Sequence, residues 1–300
     1  MKKKSLLLIQ LILIQLGFLT TQSFSQSHTN IPVYICMSDI SPSVEQQLQQ
    51  MGYSFVTLLD MYTPTLDEAA FRARITKIYP DSNATGIGVL DWEGSAFTKI
   101  RTGDTNSQDY KDALAEYTKA ILIAKSMRPN MKWGYYALPF INRQKNYKAW
   151  NTAIAPLLQQ CDVFMPSLYQ YYPVSSTKGD SESSYIKQNM TECLRLAVQY
   201  NKMVIPFIWH RLYPDNREKG LALVPLSEFE NRVKNIINTT YQGKGIDGLV
   251  WWGSDTYYFK QGNANMRSEM SSRATDFKSY HDSLIIKYGN GIKKTLSGNQ

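Results

Sequence analysis

Short apolar segments recur along the chain, and longer stretches of mixed polar and apolar residues separate them. Most of the short segments are continuously apolar rather than alternating, which is typical of strands in a parallel sheet that is covered on both faces. The seven segments are VYICM (33–37), SFVTL (54–58), GIGVLDW (86–92), KWGYYAL (132–138), CDVFMPSLY (161–169), MVIPFIW (203–209) and GLVWWG (248–253).

The stretches between these segments have the apolar spacing of helices. One of them, LDEAAFRARI, carries acidic residues in its first turn and basic residues later, which favours a helix through its dipole. The clearest helical stretches are 66–79, 110–127, 184–200 and 226–237. Strands and helices that alternate about seven times along one chain indicate a parallel α/β architecture.

Two architectures fit this alternation, an open doubly wound sheet and a closed barrel. The chain is close in size to the ~250 residues that are typical of a (β/α) barrel. After the first segment stands CMSDISPS, where a dinucleotide-binding sheet would carry a Gly-rich phosphate loop. The sequence therefore predicts an α/β protein with a TIM-like (β/α) barrel of about seven parallel strands.

Residues 1–25 have the order of a secretory signal peptide. A basic start at Lys2–Lys4 precedes an apolar run from Ser5 to Thr20, and Ser23 and Ser25 supply the small residues of a cleavage site. An uncleaved membrane anchor is the alternative, although the apolar run is shorter than the ~20 residues that span a bilayer. We expect a secreted or periplasmic protein with one barrel domain over 26–290 and a C-terminal tail over 291–300.

The composition narrows the classes of partner. Of the net charge of +8, three positive charges belong to Lys2–Lys4, and the remaining +5 (8 − 3) is spread along the chain without a nucleic-acid-binding motif. We expect a monomer with no nucleic-acid partner. Three cysteines cannot form a disulfide framework: Cys161 and Cys193 could form one bridge, while Cys36 is expected to be buried. Three histidines without CxxC or HxxxH spacing favour neither a metal site nor a cofactor.

The third apolar segment ends in two carboxylates, Asp91 and Glu93, on either side of Trp92. Residues i and i+2 of a strand point to the same face, ~6.5 to 7 Å apart, while Trp92 would point to the core. Two close carboxylates disfavour ionisation of both, and a protonated acid beside a charged one suits protonation of a glycosidic oxygen. Alternatively, Asp91 caps a loop and Glu93 forms a salt bridge at the rim.

Aromatic residues favour a carbohydrate as the substrate. The chain has six tryptophans and twenty tyrosines, and several lie at the ends of predicted strands, where a barrel collects its catalytic groups. Sugar rings stack on aromatic faces, and tyrosine hydroxyls bind sugar oxygens. Tyr136, Trp209, Tyr213, Trp252 and Asp255 are the substrate-binding candidates at this rim.

Three kinds of hydrolytic mechanism can be compared. A serine nucleophile has no G-x-S-x-G motif to support it. A protein carboxylate such as Asp39, Asp60 or Asp255 could act as a nucleophile or base. In a substrate-assisted mechanism the 2-acetamido carbonyl of the sugar attacks the anomeric carbon, with Glu93 as the acid and Asp91 orienting the acetamido nitrogen. That third mechanism confines the substrate to N-acetylhexosamine glycosides.

Five sequence blocks resemble one family. GIGVLDWEG is similar to the catalytic strand of the hyaluronidases of glycoside hydrolase family 56, where G-x-x-V-I-D-[WF]-E carries the acid. KWGYYALP resembles the family's W-G-[FY]-Y-G-F-P, and FMPSLYQ resembles its [YF]-P-S-[IV]-Y. VIPFIWHRLY resembles V-L-P-Y with its following aromatic cluster, and GIDGLVWWGS resembles G-A-A-G-V-V-L-W-x-S. The blocks follow the family's order over residues 86–254.

The resemblance implies a distorted seven-stranded barrel and a set of site residues. Glu93 would be the proton donor, with Asp91 as the partner that orients the acetamido group. Tyr169 would contact the acetamido group or stabilise charge at the reacting centre, and Trp252 would close that pocket. Tyr213 matches the tyrosine that follows V-L-P-Y, with a spacing one residue longer here.

Departures from the family pattern bear on the substrate and the source. FINR replaces D-C-Y-N, EGSAF stands where R-P usually follows the acidic motif, and the family's disulfide cysteines have no evident counterparts. The missing disulfides suit a bacterial secreted relative, while NAT, NMT and NTT sequons leave a eukaryotic source open. Hyaluronan, chondroitin and other N-acetylhexosamine polymers remain as candidate substrates.

The sequence therefore predicts a secreted endo-N-acetylhexosaminidase of hyaluronidase type that acts on a polysaccharide. Two alternatives stay open: a carbohydrate-binding relative without turnover, and a glycosidase that uses a protein nucleophile such as Asp255.

Overall fold

The computed structural model describes residues 31–141, 146–176, 178–271 and 276–298. The predicted signal peptide lies outside the described residues. The strands are β1 (Val33–Met37), β2 (Ser54–Phe55), β3 (Leu58–Asp60), β4 (Gly86–Asp91), β5 (Met131–Tyr135), β6 (Val163–Phe164), β7 (Met203–Val204), β8 (Phe207–Ile208) and β9 (Leu249–Gly253).

Helices separate most of the strands along the chain. They are α1 (Pro42–Gln50), α2 (Glu68–Ile78), α3 (Ser95–Thr102), α4 (Gln108–Met127), α5 (Tyr147–Ala153), α6 (Ala155–Gln160), α7 (Gly179–Tyr200), α8 (Leu226–Asn238), α9 (Asp255–Lys260), α10 (Ala264–Ser271) and α11 (Phe277–Ser297). Among the described residues, no helix combines the length and the apolar content that crossing a membrane requires.

All paired strands run parallel, in the orders β2-β1-β9-β8, β3-β4-β5 and β6-β7. Parallel bridges between Tyr136 and Met165 and between Ser167 and Phe207 link these groups. Only residues 56–57 separate β2 from β3, and only 205–206 separate β7 from β8, so each pair continues one strand path. The pairings of the described residues therefore connect seven strand paths around a ring, and the predicted α/β barrel of about seven parallel strands is confirmed.

The predicted segments coincide with the strands, but two of them are interrupted. SFVTL is divided between β2 and β3, and MVIPFIW between β7 and β8. In the second case Pro206 has no N–H to donate to the strand ladder, which explains a break at that point. Close packing of β4 on β5 depends on Gly88, because a Cβ there would lie 2.2 Å from Cε3 of Trp133.

The core has two layers, one inside the barrel and one between the barrel and its helices. Ile87 and Val89 of β4 belong to the inner cluster, whereas Leu90 and Trp92 belong to the outer one. Side chains of a strand alternate between faces. Asp91 therefore follows Ile87 and Val89 on the face that lines the barrel interior, at the carboxyl end of the strand.

Two details of the predicted organisation differ from the structure. Helix α11 continues to Ser297, and Ile292 is fully buried, so the residues from 291 onward begin inside a helix rather than in a separate tail. All three cysteines are free and buried, which rules out the Cys161–Cys193 bridge and agrees with the buried position predicted for Cys36.

Candidate active site

Strand β4 ends at Asp91, and Glu93 follows two residues later at the mouth of the barrel. Gly94 then adopts φ 104°, a conformation that glycine tolerates, and helix α3 starts immediately afterwards. The chain therefore turns away from the barrel directly after the second carboxylate. Both carboxylates are displayed at the carboxyl end of the barrel, where (β/α) barrels place their catalytic groups.

Aromatic packing holds the backbone between the two carboxylates. The Trp92 ring stacks on Tyr117 at 4.8 Å and 9°, and its Nε1 donates a hydrogen bond to the Thr63 carbonyl at 2.9 Å. The Tyr117 hydroxyl donates to the Trp92 carbonyl oxygen, and the Tyr135 hydroxyl donates to the Tyr117 carbonyl at 2.7 Å. The predicted core position of Trp92 is confirmed, and this packing limits movement of the Asp-Trp-Glu peptide.

The two carboxylates differ in their surroundings. Burial raises the pKa of Asp91 to about 8, and the charges of Glu93 and Asp60 act in the same direction. The pKa of Glu93 is also raised, because surrounding protein reduces its hydration although water reaches the side chain; Arg101 opposes this rise, and Asp60 adds to it. The raised pKa of Asp91 favours its protonated form near neutral pH in the unliganded site, whereas the sequence predicted Glu93 as the protonated member of the pair.

Neither carboxylate is committed to a structural contact. Neither Asp91 nor Glu93 forms an ion pair or a side-chain hydrogen bond with another described residue, and Asp91 Oδ1 is buried without a partner there. The alternative in which Asp91 caps a loop and Glu93 forms a salt bridge is therefore not supported. A buried carboxyl oxygen without a partner is costly to keep, which is typical of a group that binds a ligand.

A cleft of about 290 Å³ opens beside Glu93. Its described lining residues are Glu93, Phe97, Arg101, Tyr136, Ala137, Phe140, Ile141, Trp150, Ser167, Tyr171, Tyr213 and Asp215. A larger cavity, of about 740 Å³, lies along α2 and includes Asp60 but neither Asp91 nor Glu93. The smaller cleft is the better candidate because it joins an acid to aromatic walls and a few polar groups.

Four of the predicted aromatic residues form one cluster at this cleft. Tyr136 and Tyr213 line it, and the Tyr136 hydroxyl lies 3.1 Å from Ser167 Oγ. Tyr169 packs behind them, with ring centroids 6.1 Å from Tyr136, 6.2 Å from Tyr213 and 5.4 Å from a stacked Trp252. Burial raises the pKa of Tyr169, and its neighbour Tyr136 and, to a smaller extent, the charge of Asp91 act in the same direction.

Three of the predicted substrate-binding residues, Trp209, Trp252 and Asp255, are not among the described residues that line the cleft. Trp209 is only 1% exposed and packs edge-on against Trp252 at 4.7 Å, so it supports the aromatic cluster from behind. The Asp255 carboxylate is fully buried; it accepts a hydrogen bond from Arg211 Nε at 2.6 Å and lies 3.1 Å from His210 Nε2.

Although burial opposes it, the charges of His210 and Arg211 hold the pKa of Asp255 well below its usual range. The structure therefore places the Asp255 carboxylate in a buried ion pair away from the described cleft, which does not support its predicted roles as a substrate-binding residue or a nucleophile. The carboxylate stabilises a buried ion-pair network beneath the rim.

Sequence reasoning missed several lining residues, of which Phe97 and Arg101 are the most informative. They lie four residues apart on α3 and so share one helix face, with the guanidinium carbon 5.3 Å from the centre of the Phe97 ring. A usable signal existed, because α3 directly follows the acidic strand and must pass the barrel mouth. Trp150 and Asp215 come from other segments, and no local pattern marks them.

Comparisons with known proteins point to one group of enzymes. The hyaluronidase of the honeybee Apis mellifera is 25% identical over 226 residues, which is 61% of this chain and 56% of the bee protein. The chain is a homologue of the hyaluronidases. It is also 20% identical to inactive hyaluronidase B of the wasp Vespula vulgaris over 239 residues, covering 65% of this chain and 63% of that one. No protein-family model matches the chain.

The fold of this hyaluronidase homologue has a solved counterpart. The crystal structure of bee venom hyaluronidase in complex with a hyaluronic acid tetramer matches with a TM-score of 0.62 at 17% identity, over 88% of this chain and 99% of the bee chain. This match confirms the barrel architecture. In sequence, the alignment spans little more than half of the bee relative's length.

Proposed function

We propose that the protein is a secreted glycoside hydrolase that cleaves internal N-acetylhexosaminide bonds in hyaluronan or a related glycosaminoglycan. The observation that carries the proposal is the pairing of Asp91 and Glu93 at the carboxyl end of β4, with Glu93 lining an aromatic-walled cleft. Homology to the hyaluronidases supports the same reaction, and the bee enzyme bound to a hyaluronic acid tetramer supports a polysaccharide substrate. The signal-peptide character of residues 1–25 supports secretion.

The mechanism that fits this pair is substrate-assisted hydrolysis with retention. An acetamido N–H brought to Asp91 is best accepted by the ionised carboxylate, so substrate binding favours transfer of the resting proton from Asp91 to Glu93. Glu93 then protonates the glycosidic oxygen while the acetamido carbonyl attacks the anomeric carbon, and the leaving sugar departs with that proton. Glu93 next removes a proton from water, which opens the cyclic intermediate from the opposite side.

The aromatic residues supply binding and charge stabilisation. Tyr136 and Tyr213 present ring faces and hydroxyls to the cleft, which suits the C–H faces and oxygens of a pyranose. Tyr169 and Trp252, stacked on each other, would close the pocket around the acetamido group. Trp209 would act through Trp252 by fixing its position.

Non-catalytic carbohydrate binding is the second candidate function. It is favoured by one observation, that a wasp relative of this chain carries the name inactive hyaluronidase B. The acid, its partner carboxylate and Tyr169 are nevertheless all present here, which favours turnover.

The deciding experiment measures new reducing ends after incubation of the protein with hyaluronan, chondroitin, chitin or peptidoglycan. We expect release from at least one N-acetylhexosamine polymer by the wild type and by the control Glu45→Gln, an exposed glutamate on α1. Glu93→Gln should abolish release without lowering the unfolding temperature. Near-wild-type activity of Glu93→Gln would refute the assignment, and binding without any release by the wild type would favour the second candidate.

A further inference from the structure

Arg101 differs from Arg74 and Arg211 because its charge has no ion-pair partner among the described residues. Arg74 binds Asp60 at 2.9 Å, and Arg211 binds Asp255 at 2.6 Å. Arg101 forms no ion pair with a described residue, and its Nε is buried without a hydrogen-bond partner there. Its guanidinium packs over the Phe97 ring and lines the cleft. An unpaired guanidinium on a cleft wall is an anion-binding group, since its donors are already oriented.

Among the described residues, Arg101 is the only cation that lines the cleft. The other charged or titratable groups that the structure describes around Glu93 are acidic or phenolic. They are Asp91, Asp60, Asp215, Tyr117, Tyr136, Tyr171, Tyr213 and Tyr258. Within the described part of the cleft, Arg101 is therefore the favourable electrostatic contact for an anionic substrate, and it shares the cleft wall with the proton donor.

We propose that Arg101 binds the carboxylate of a uronate ring adjacent to the N-acetylhexosamine, and that this contact makes Glu93 a better proton donor when an anionic substrate is bound. The inference rests on the proposed function and names the part of the substrate that it selects. The proposal also explains how the EGSAF segment can replace the Arg-Pro that usually follows the acidic motif. In this chain the cation near Glu93 is Arg101, which lies on the helix that starts within EGSAF.

The coupling follows from the charges. In the free protein the positive charge of Arg101 opposes the rise in the pKa of Glu93. It therefore favours loss of the proton that Glu93 must donate. A bound carboxylate neutralises the guanidinium and removes that effect. A neutral sugar in the same place would leave the effect intact, so it would be a poorer substrate even with an identical acetamido group.

The test compares hyaluronan with carboxyl-reduced hyaluronan, in which each uronate carboxylate is a primary alcohol. For Arg101→Met we expect kcat/KM on hyaluronan to fall about 10- to 100-fold, as for loss of a charged hydrogen bond, with little change on the reduced polymer. Arg101→Lys should recover part of the loss, because lysine keeps the positive charge but lacks the planar guanidinium that can bind a carboxylate through two hydrogen bonds.

The pH profiles provide a readout that a merely structural role would not move. The alkaline limb of kcat/KM, which reports the free enzyme, should shift to higher pH in Arg101→Met. In the wild type, the alkaline limb of kcat should lie at higher pH with hyaluronan than with the reduced polymer, since only hyaluronan neutralises Arg101.

Lys99→Met is the matched control, because it removes a cation from the same helix at a solvent-exposed position paired with Asp109. It should leave the ratio of the two substrates unchanged. Equal losses of Arg101→Met on both polymers, or no loss on either, would overturn the proposal while leaving the hydrolase assignment intact.

If the wild type cleaves neither hyaluronan nor its carboxyl-reduced form, a binding measurement tests the role of Arg101 independently of hydrolysis. Tighter binding of hyaluronan oligosaccharides than of their carboxyl-reduced forms, abolished by Arg101→Met, would then support the proposal, and equal binding would refute it.

Discussion

Asp60 and Asp91 are register partners on the parallel strands β3 and β4. Neighbouring strands lie ~4.8 Å apart, so a second carboxylate stands directly beside the buried member of the catalytic pair. Arg74 Nη2 binds Asp60 Oδ2 at 2.9 Å, and the Met61 N–H donates to the Asp91 carbonyl at 2.8 Å. Arg74 thereby holds Asp60 in place, and the charge of Asp60 contributes to the raised pKa values of Asp91 and Glu93.

Replacing Asp60 with Asn should move the alkaline limb of the activity profile to lower pH. Loss of the negative charge makes ionisation of Asp91 and Glu93 easier, so the pair loses its shared proton at a lower pH than in the wild type. The measurement is the pH dependence of kcat/KM. Asp109→Asn, at an exposed position on α4, serves as the control. An alkaline limb that stays in place for Asp60→Asn would contradict the role given to Asp60.

Asp91→Asn should stabilise the folded protein at alkaline pH while abolishing activity. The folded-state pKa of about 8 lies above the ordinary value of 3.8, so the folded protein binds a proton that the unfolded chain releases between these values. Wild-type stability therefore falls as pH rises across this window, at up to about 1.4 kcal/mol per pH unit. The neutral amide lacks this penalty.

Thermal unfolding of both proteins at pH 4, 6 and 8 checks this. The unfolding temperature of Asp91→Asn should exceed that of the wild type most at pH 8, and the difference should shrink toward pH 4. A variant that is less stable than the wild type at pH 8 would show that Asp91 has a structural partner after all.

Tyr117→Phe should lower both stability and activity. It removes the hydroxyl that donates to the Trp92 carbonyl and leaves that acceptor buried, at a cost of about 1–3 kcal/mol, while the ring can still stack on Trp92. Looser backbone between the carboxylates should reduce kcat more than it changes KM.

Tyr110→Phe is the matched control on the same helix, since its buried hydroxyl has no hydrogen-bond partner in the described part of the chain. Chemical denaturation and steady-state kinetics of the two variants should separate them clearly. Equal behaviour of the two would mean that the Trp92 carbonyl contact does not position the carboxylates.

Asp255→Asn should destabilise the fold without removing the chemistry. It takes the compensating charge from the buried Arg211, and breaking a buried pair in this way costs about 3–5 kcal/mol. Glu269, which binds Arg211 at 3.1 Å, should limit the loss. Activity assayed well below the unfolding temperature should stay within a few-fold of wild type, whereas complete loss of activity in a stably folded variant would restore Asp255 as a catalytic candidate.

Much of the fold followed from local pattern. Each continuous apolar segment became a strand path. The helices predicted over 66–79, 110–127, 184–200 and 226–237 are observed as α2, α4, α7 and α8, with bounds that differ by five residues or fewer. Alternation along β4 was enough to place Asp91 inside and Trp92 outside. Both inferences succeed because strand faces and helix faces depend on spacing within a few residues of one chain.

Local sequence patterns were therefore enough to predict the parallel α/β architecture, the carboxylate pair and the resemblance of the chain to the hyaluronidases. The charges that act on those two carboxylates followed only from the three-dimensional fold. Asp60 and Arg101 reach the pair through strand register and the path of α3, and Asp255 is withdrawn from it by Arg211 and His210. These contacts join residues distant in sequence, and an electrostatic effect depends on distance and burial in space, which no local spacing records.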